Sequence, residues 1–314
     1  MTTLERLSQW KNTGAITGAQ FDAISALVRN DRFSVFLELN ALLYLGVLSF
    51  VAGVGWTIQT YFARLGDLAI LTTLTVLLGA SFYYCFSRAL PFSAGEEKSP
   101  NLAFDYALYF GCLLFGIEMG YLESRFQLLQ SEWDYYLLVS SVLFFVLAYR
   151  FDNRFVLSLA LSTLGAWFGF RINRFAFRGS ETLRISAIVY GVLVAFVGTW
   201  FHRLGLKKHF LETYLHVAAN VLFVAVLSGV GARDSDWLYL TGLLALSVAA
   251  VVLGIRFRRF VFVIYGTIYG YIGISIEILR GVSGFSVVLT YVVISSALVV
   301  LSMVLLARWF GREE

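Results

Sequence analysis

The chain has 314 residues, of which 59% are hydrophobic and 14% charged, and it carries a net charge of +4. Its mean hydropathy is +0.77, and its successive apolar stretches of about 20 residues, each able to cross a hydrocarbon core of ~30 Å, exclude a large soluble catalytic domain. The sequence has no basic face with interleaved aromatic residues, so nucleic acid is not expected as a partner. The composition predicts an all-helical polytopic membrane protein in contact with the lipid bilayer.

Residues 1–33 are predicted to form a cytoplasmic helical hairpin. Gly14 ends the first helix, and the run from Thr17 to Gln20 is a capping-box pattern that opens the second. The apolar side of the hairpin carries Leu7, Trp10, Phe21 and Ile24. A hairpin of this size is not stable alone, so we expect this side to pack on the bundle, the bilayer surface, a protein partner or another copy.

Residues 34–314 are predicted to form a transmembrane bundle of about ten spans. The spans are expected at 35–62, 66–88, 101–123, 132–149, 154–171, 182–202, 210–230, 236–255, 259–279 and 284–308. An even number of spans places both termini on one side of the membrane. That side holds 16 lysines and arginines and the other side holds 8. The positive-inside rule therefore predicts that both termini are cytoplasmic, although the arginines of residues 171–184 run against this trend.

Spans three to six and seven to ten are weak copies of each other. The run Arg150-Phe-Asp-Asn-Arg154-Phe-Val in the first set matches Arg256-Phe-Arg-Arg259-Phe-Val in the second. An offset of four spans keeps the orientation, so the pattern predicts parallel four-helix repeats about an axis along the membrane normal. The preference for arginine in turns and for aromatic residues at interfaces generates part of this pattern without a repeat.

Two acidic residues within spans are candidates for a proton or substrate path. Glu277 follows Gly266, Gly270 and Gly273 at helical spacing, so it shares a face with a glycine seam that favours close helix packing. Glu277 is also near the end of its span, where it could reach water. Glu118 in the third span is placed similarly. A second small-residue seam, with Gly165 and Gly169, is predicted on the fifth span.

The seventh span carries a polar face. His209, Glu212 and His216 recur at i, i+3 and i+7 and so share one side of the helix, with Asn220 a turn further in. This side could hold a transition metal or relay protons, and the sequence announces no third or fourth metal ligand. Imidazole and carboxylate groups carry protons, which favours a path that also uses Asp105 and Tyr269. The alternative for Asp105 and Glu212 is stabilisation of the helix dipole, because each lies in the first turn of its span. Tyr269 could instead simply pack in the bundle.

Several signatures of other chemistry are missing. Cys85 and Cys112 fall within apolar stretches, which is typical of core residues and not of a disulfide framework. The sequence contains no Walker-type loop, no zinc pattern of cysteine and histidine and no hydrolase Gly-x-Ser-x-Gly motif. We therefore expect no cofactor and no metal site. The missing motifs also favour a protein without enzymatic activity over an enzyme.

Two N-terminal segments are typical of one family. They are the hairpin sequence from Leu7 to Gln20 and the glycine-rich run Tyr44-Leu-Gly46-Val-Leu-Ser-Phe-Val-Ala-Gly53-Val-Gly55-Trp56. Over about residues 4–80 the chain resembles bacterial multi-spanning proteins grouped as a predicted membrane protein family, domain of unknown function 2157. The resemblance implies a location in the bacterial inner membrane, and it transfers no catalytic residue.

Three functions are compatible with these patterns. The repeat, the polar helix faces and the lack of a soluble domain favour a transporter or permease for a small solute or ion. Its carboxylates and histidine would make such a transporter proton-linked if they carry protons. A non-transporting scaffold or sensor subunit would bind a partner through the hairpin. A membrane-embedded enzyme acting on lipid headgroups would use carboxylates and the arginines of residues 171–184.

Overall fold

The computed structural model describes residues 3–18, 20–21, 25, 45–50, 52–53, 56–57, 66–97, 99–175, 180–232, 237–282 and 284–312. Within these residues the chain forms helices and no β-strand. Contacts divide the chain into a first unit, residues 1–70, and a second unit, residues 71–314. The predicted all-helical class is confirmed, whereas the predicted domain boundary after residue 33 stays a prediction.

The first unit contains helix α1, Thr3–Asn12. Gly14, with φ of 73°, follows this helix in the left-handed conformation that glycine adopts without strain. The predicted capping box is formed, because Thr17 N donates to Gln20 Oε1 at 2.9 Å and Gln20 N donates to Thr17 Oγ1 at 3.3 Å. Of the predicted apolar side, Leu7 is buried and Trp10 is 51% exposed, while Ile24 lies outside the described residues.

The helices that follow are long and apolar. They are α2 (Asp67–Arg88), α3 (Leu102–Phe126), α4 (Tyr135–Phe151), α5 (Arg154–Phe175), α6 (Ser180–Arg203), α7 (Phe210–Val230), α8 (Trp237–Arg256), α9 (Phe260–Arg280) and α10 (Phe285–Arg312). Eight of these have the length and hydropathy of a membrane span, and α4, with 17 residues, is shorter. Each coincides with one predicted span, which confirms a polytopic helical membrane protein. The predicted span 35–62 lies largely outside the described residues.

The second unit is built from antiparallel neighbours, because short turns connect its helices. The pairs α4–α5, α6–α7 and α8–α9 make its most extensive contacts. Helix α7 also packs on α5, α8 and α9, which places it near the centre of the unit. Phe223 and Val230 of α7 form a buried core with Leu243 of α8. Other helices therefore surround α7 along part of its length, and some of its polar side chains lie among them.

The predicted glycine seam of α9 lies against α8. A Cβ atom added to Gly266 would lie 2.5 Å from the backbone oxygen of Ser247, one added to Gly270 would lie 3.1 Å from its side-chain oxygen, and one added to Gly273 would collide with Leu243. Small residues thus allow the two backbones to approach closely. On α5, a Cβ atom at Gly165 would lie 2.9 Å from the ring of Tyr190. Gly169 has more space, with its nearest neighbour at 3.8 Å.

The turns α4–α5 and α8–α9, which the sequence predicts to be equivalent, have the same local geometry. Asp152 and Arg258 both adopt left-handed conformations, with φ of 55° and 53°. The next residue in each turn donates its N–H to the preceding helix, from Asn153 to Ala148 O at 3.1 Å and from Arg259 to Gly254 O at 2.8 Å. This likeness extends the sequence match to the backbone of the turns, and the four-helix repeat as a whole stays a prediction.

Candidate functional site

Polar residues gather at one end of the second unit, where loops 89–97, 152–153, 204–209 and 257–259 lie. We call this the basic end. Arg150 Nη1 donates to the carbonyl oxygen of Leu90 at 2.8 Å, and Lys207 Nζ donates to that of Gly95 at 3.0 Å. These contacts join consecutive turns of the bundle. The distribution of lysine and arginine predicts that this end is cytoplasmic.

A buried ion cluster lies at the basic end and consists of Asp152, Lys207 and His209, here called the Asp152 cluster. Lys207 Nζ is 3.2 Å from Asp152 Oδ2, and His209 Nε2 is 2.5 Å from Asp152 Oδ1. The side chains of Asp152 and Lys207 are only 4% and 1% exposed. The backbone N–H of Glu97 also donates to Asp152, at 2.5 Å. Both carboxylate oxygens are therefore satisfied, as burial of a charge requires.

The backbone at this cluster is unusual. Lys207 has a φ of 44°, a left-handed conformation that residues other than glycine, asparagine and aspartate seldom adopt. Its own N–H donates to Ala94 O at 3.0 Å while its side chain reaches Asp152 and Gly95. The contacts on both sides of the residue hold this conformation. Sequence analysis missed Asp152 and Lys207 as site residues, because both are in turns where charged side chains are usually exposed.

A second polar group, here called the polar row, consists of Glu212, His216, Asn220 and Tyr269. His216 Nε2 lies 3.8 Å from Glu212 Oε1. Asn220 Nδ2 donates to the carbonyl oxygen of His216 at 2.8 Å, and the Tyr269 hydroxyl donates to Asn220 Oδ1 at 3.4 Å. The structure thus brings four of the predicted path residues together. The row begins at the basic end and reaches about 15 Å along α7, at 1.5 Å per residue from Phe210 to Asn220.

Arginines hold the outer member of the row. Arg259 Nη1 donates to Glu212 Oε1 at 2.9 Å, and Arg154 Nη1 lies 3.5 Å from Glu212 Oε2. Glu212 is in the first turn of α7, so the dipole of the helix also stabilises its negative charge. Its side chain remains 29% exposed. Glu212 is therefore a partly accessible carboxylate at the start of a helix that leads into the bundle.

The His216 ring is placed by aromatic neighbours. It stacks on Phe262 with a centroid distance of 4.9 Å and an interplanar angle of 2°, and Tyr265 approaches edge-on at 5.8 Å. One ring nitrogen faces Glu212, whereas Nδ1 is buried and has no hydrogen-bond partner among the described residues. An unsatisfied buried polar atom costs about 1–3 kcal/mol. His216 is thus oriented by packing and left with one unused polar atom.

Glu118 lies between α2 and α3 and is 8% exposed. Its Oε1 accepts from Thr75 Oγ1 at 2.6 Å, and its Oε2 is buried with no partner in the described part of the chain. Asp105, earlier on α3, is better satisfied, since it accepts from Ser99 Oγ at 2.6 Å and from Asn153 Nδ2 at 3.0 Å. Asp105 therefore joins α3 to the α4–α5 turn, while one carboxylate oxygen of Glu118 has no partner among the described residues.

The N-terminal half of the chain is similar to one described family. Residues 8–157 match the family described as Predicted membrane protein (DUF2157). The resemblance predicted over residues 4–80 is confirmed and extends to the start of α5. This DUF2157 region contains Asp105, Glu118 and Asp152. Comparisons with curated proteins and with solved structures give no match.

The polar row lies outside the DUF2157 region, and so does Glu277. Arg280 Nη1 donates to Glu277 Oε2 at 2.9 Å, and the Glu277 side chain is 46% exposed. Arg280 also donates to carbonyl oxygens at the end of α7, those of Val230 and of Ala232, the latter at 2.9 Å. Glu277 thus has an exposed partner, Arg280, at the end of α9. The glycines that the sequence places on the same face, Gly266, Gly270 and Gly273, are buried.

The arginines of residues 171–184 have local partners where the structure describes their side chains. Arg171 pairs with Glu132, and Arg184 pairs with Glu181. The side chains of Arg174 and Arg178 lie outside the described residues. Within the described chain, no group of three or more histidine, cysteine, aspartate or glutamate side chains is arranged to hold a metal ion. The polar row and Glu118 are therefore the strongest candidate sites.

Proposed function

We propose that this membrane protein is a proton-linked secondary transporter for a small solute or ion, and that the polar row carries its protons. The observation that supports this proposal is the state of His216, whose Nε2 faces Glu212 while its Nδ1 is buried and unpaired among the described residues. An imidazole can take up a proton at one nitrogen and release one from the other. Ionisable residues inside a bundle are functional candidates by default.

Each residue of the row has a distinct role in this proposal. Glu212 receives protons at the basic end, where it is partly exposed. His216 transfers them along α7, and Asn220 and Tyr269 continue the polar surface inward. Asn220 also borders a groove of about 620 Å³ on α6 and α7, which would let water or a solute approach the inner end of the row. Neither Asp105 nor Glu277 is assigned proton transfer, because their contacts lie outside the polar row: Asp105 accepts from Ser99 and Asn153, and Glu277 pairs with Arg280.

The experiment uses the full chain in liposomes that contain a pH-sensitive dye. Pools of amino acids, sugars, organic acids and inorganic ions are added outside at a fixed pH gradient. We expect one pool to change the rate of proton uptake, and His216→Gln to reduce that response by about tenfold or more, the scale on which positioned acid–base groups contribute. His202→Gln is the matched control, because His202 is an exposed histidine on α6.

Two outcomes would contradict the proposal. One is a response from every solute pool that is indistinguishable from that of empty liposomes. The other is a solute-dependent response that survives both His216→Gln and Glu212→Gln. Correct folding of each variant is checked by its thermal unfolding profile in detergent, so that loss of structure is not mistaken for loss of proton transfer.

A scaffold or sensor subunit is the second candidate function. Helix α10 is the most apolar candidate span, yet its 18-residue apolar window has no residue buried within the described chain. Trp10 of the hairpin is also half exposed. A partner captured by the full chain and lost with Trp10→Asp, but retained with Lys11→Gln, would favour this function over transport.

A further inference from the structure

An apolar groove of about 670 Å³ runs along the side of helices α4 to α7. Its wall includes Tyr149, Trp167, Val197, Phe201, Leu206 and Tyr214. The volume falls within the ~300–1,000 Å³ that is usual for small-molecule sites. Because the surrounding helices span a membrane, the occupants available to this surface are lipid chains.

The groove is elongated along the helices and ends at the basic end. On α6 it follows residues from Tyr190 to Phe201, a distance of about 17 Å at 1.5 Å per residue. Phe201 and Leu206 flank the start of the α6–α7 turn, and Tyr149 lies just before the α4–α5 turn. An elongated apolar groove with one end beside the charged turns of the basic end suits an acyl chain that is attached to a headgroup.

Two hydroxyl groups lie at the end of the groove near the turns. Tyr149 Oη and Tyr214 Oη are 3.0 Å apart, so one of them donates to the other. A phenol has a single O–H donor, and the pair therefore keeps one hydrogen for an outside acceptor. An ester or phosphate oxygen is such an acceptor, and it would be present where an acyl chain meets its headgroup.

Two exposed cations flank the same end. Arg203 ends α6 and Lys208 lies in the α6–α7 turn. Each is within two residues of a residue that lines the groove, and both are exposed. Neither forms an ion pair with another residue of the described chain. Lys207, which lies between them in the sequence, is instead paired with Asp152. Exposed basic residues at a membrane surface attract anionic lipid headgroups.

We infer that this groove binds an anionic phospholipid from the leaflet at the basic end. One acyl chain lies along α4 to α7, and the phosphate is held by Arg203, Lys208 and the free tyrosine hydroxyl. The inference uses other residues than the polar row and does not depend on proton transport. The site gives the protein a preference for the headgroup charge of the lipid as well as for its apolar chain.

The test measures lipid retention by the purified full chain with native mass spectrometry. Phosphatidylglycerol and phosphatidylcholine with identical acyl chains are the two probes. We expect phosphatidylglycerol to be retained roughly thirtyfold more strongly, since two basic residues contribute at the headgroup. The double variant Arg203→Gln plus Lys208→Gln should lose this preference, whereas Arg256→Gln, an exposed arginine of another turn at the same end, should keep it.

The groove itself is tested with Val197→Phe. Val197 lines the groove and is 36% exposed, so the larger side chain should fill part of the groove. This variant should reduce retention of both lipids, and Val248→Phe, at a position on α8 that is 63% exposed, should not. Equal retention of the two lipids by the unmodified protein would overturn the inference, as would unchanged retention by folded Val197→Phe. If Val197→Phe does not fold, the double variant decides alone, and a preference that survives it overturns the inference.

Discussion

The Asp152 cluster and the polar row both begin at the basic end and both combine a carboxylate with a histidine, but they differ in how completely their polar atoms are paired. Asp152 has protein partners on both oxygens and is almost fully buried. His216 in the row keeps a buried nitrogen without a partner among the described residues. A fully paired cluster holds loops together, whereas an unpaired atom retains the capacity to bind a proton or ligand. Pairing, more than residue type, separates the structural site from the functional candidate.

The largest effect should come from breaking the paired cluster. Asp152→Ala leaves Lys207 charged and buried without its carboxylate, and removal of one partner of a buried pair costs about 3–5 kcal/mol. Thermal or denaturant unfolding in detergent measures the loss. The double variant Asp152→Asn plus Lys207→Met should recover much of it, because the lysine charge is removed and asparagine tolerates the left-handed backbone of position 152. A single variant that unfolds like the unmodified protein would show that the cluster does not hold the loops.

The polar row should respond in the opposite way. His216→Phe removes the unsatisfied nitrogen and keeps a ring that can stack on Phe262. We expect the free energy of unfolding to change by less than about 1 kcal/mol, because the lost contact with Glu212 is long, at 3.8 Å, and partly exposed. The same variant should lose the solute-dependent proton uptake. A destabilisation as large as that of Asp152→Ala would place the row with the structural cluster.

The smallest effect is expected at Glu277, which provides an exposed reference for both sites. Glu277→Gln weakens a pair with Arg280 whose two side chains are 46% and 33% exposed, and such pairs contribute about 0–1 kcal/mol. Unfolding and proton uptake should both resemble those of the unmodified protein. Loss of uptake in this variant would return Glu277 to the proton path.

Local patterns predicted the features that depend on one helix at a time. Hydropathy located the spans, and the spacing of Glu212, His216 and Asn220 identified the polar face of α7. The Asp152 cluster could not be predicted in this way, because Asp152 and Lys207 are 55 residues apart and meet only when three helices are packed. Glu277 shows a related limit. Helical spacing gives the face of a residue but not whether a neighbouring helix still covers that face in the last turn.

The length of α4 affects the bilayer around the protein. Seventeen residues rise only about 25 Å, less than the ~30 Å of a typical hydrocarbon core. The membrane beside α4 must become thinner, or the residues that flank the helix must extend toward the interfaces, at a cost of fractions of a kcal/mol for each ångström of mismatch. Lipids with shorter chains relieve this mismatch, so bilayer thickness should influence where in a membrane the protein is most stable.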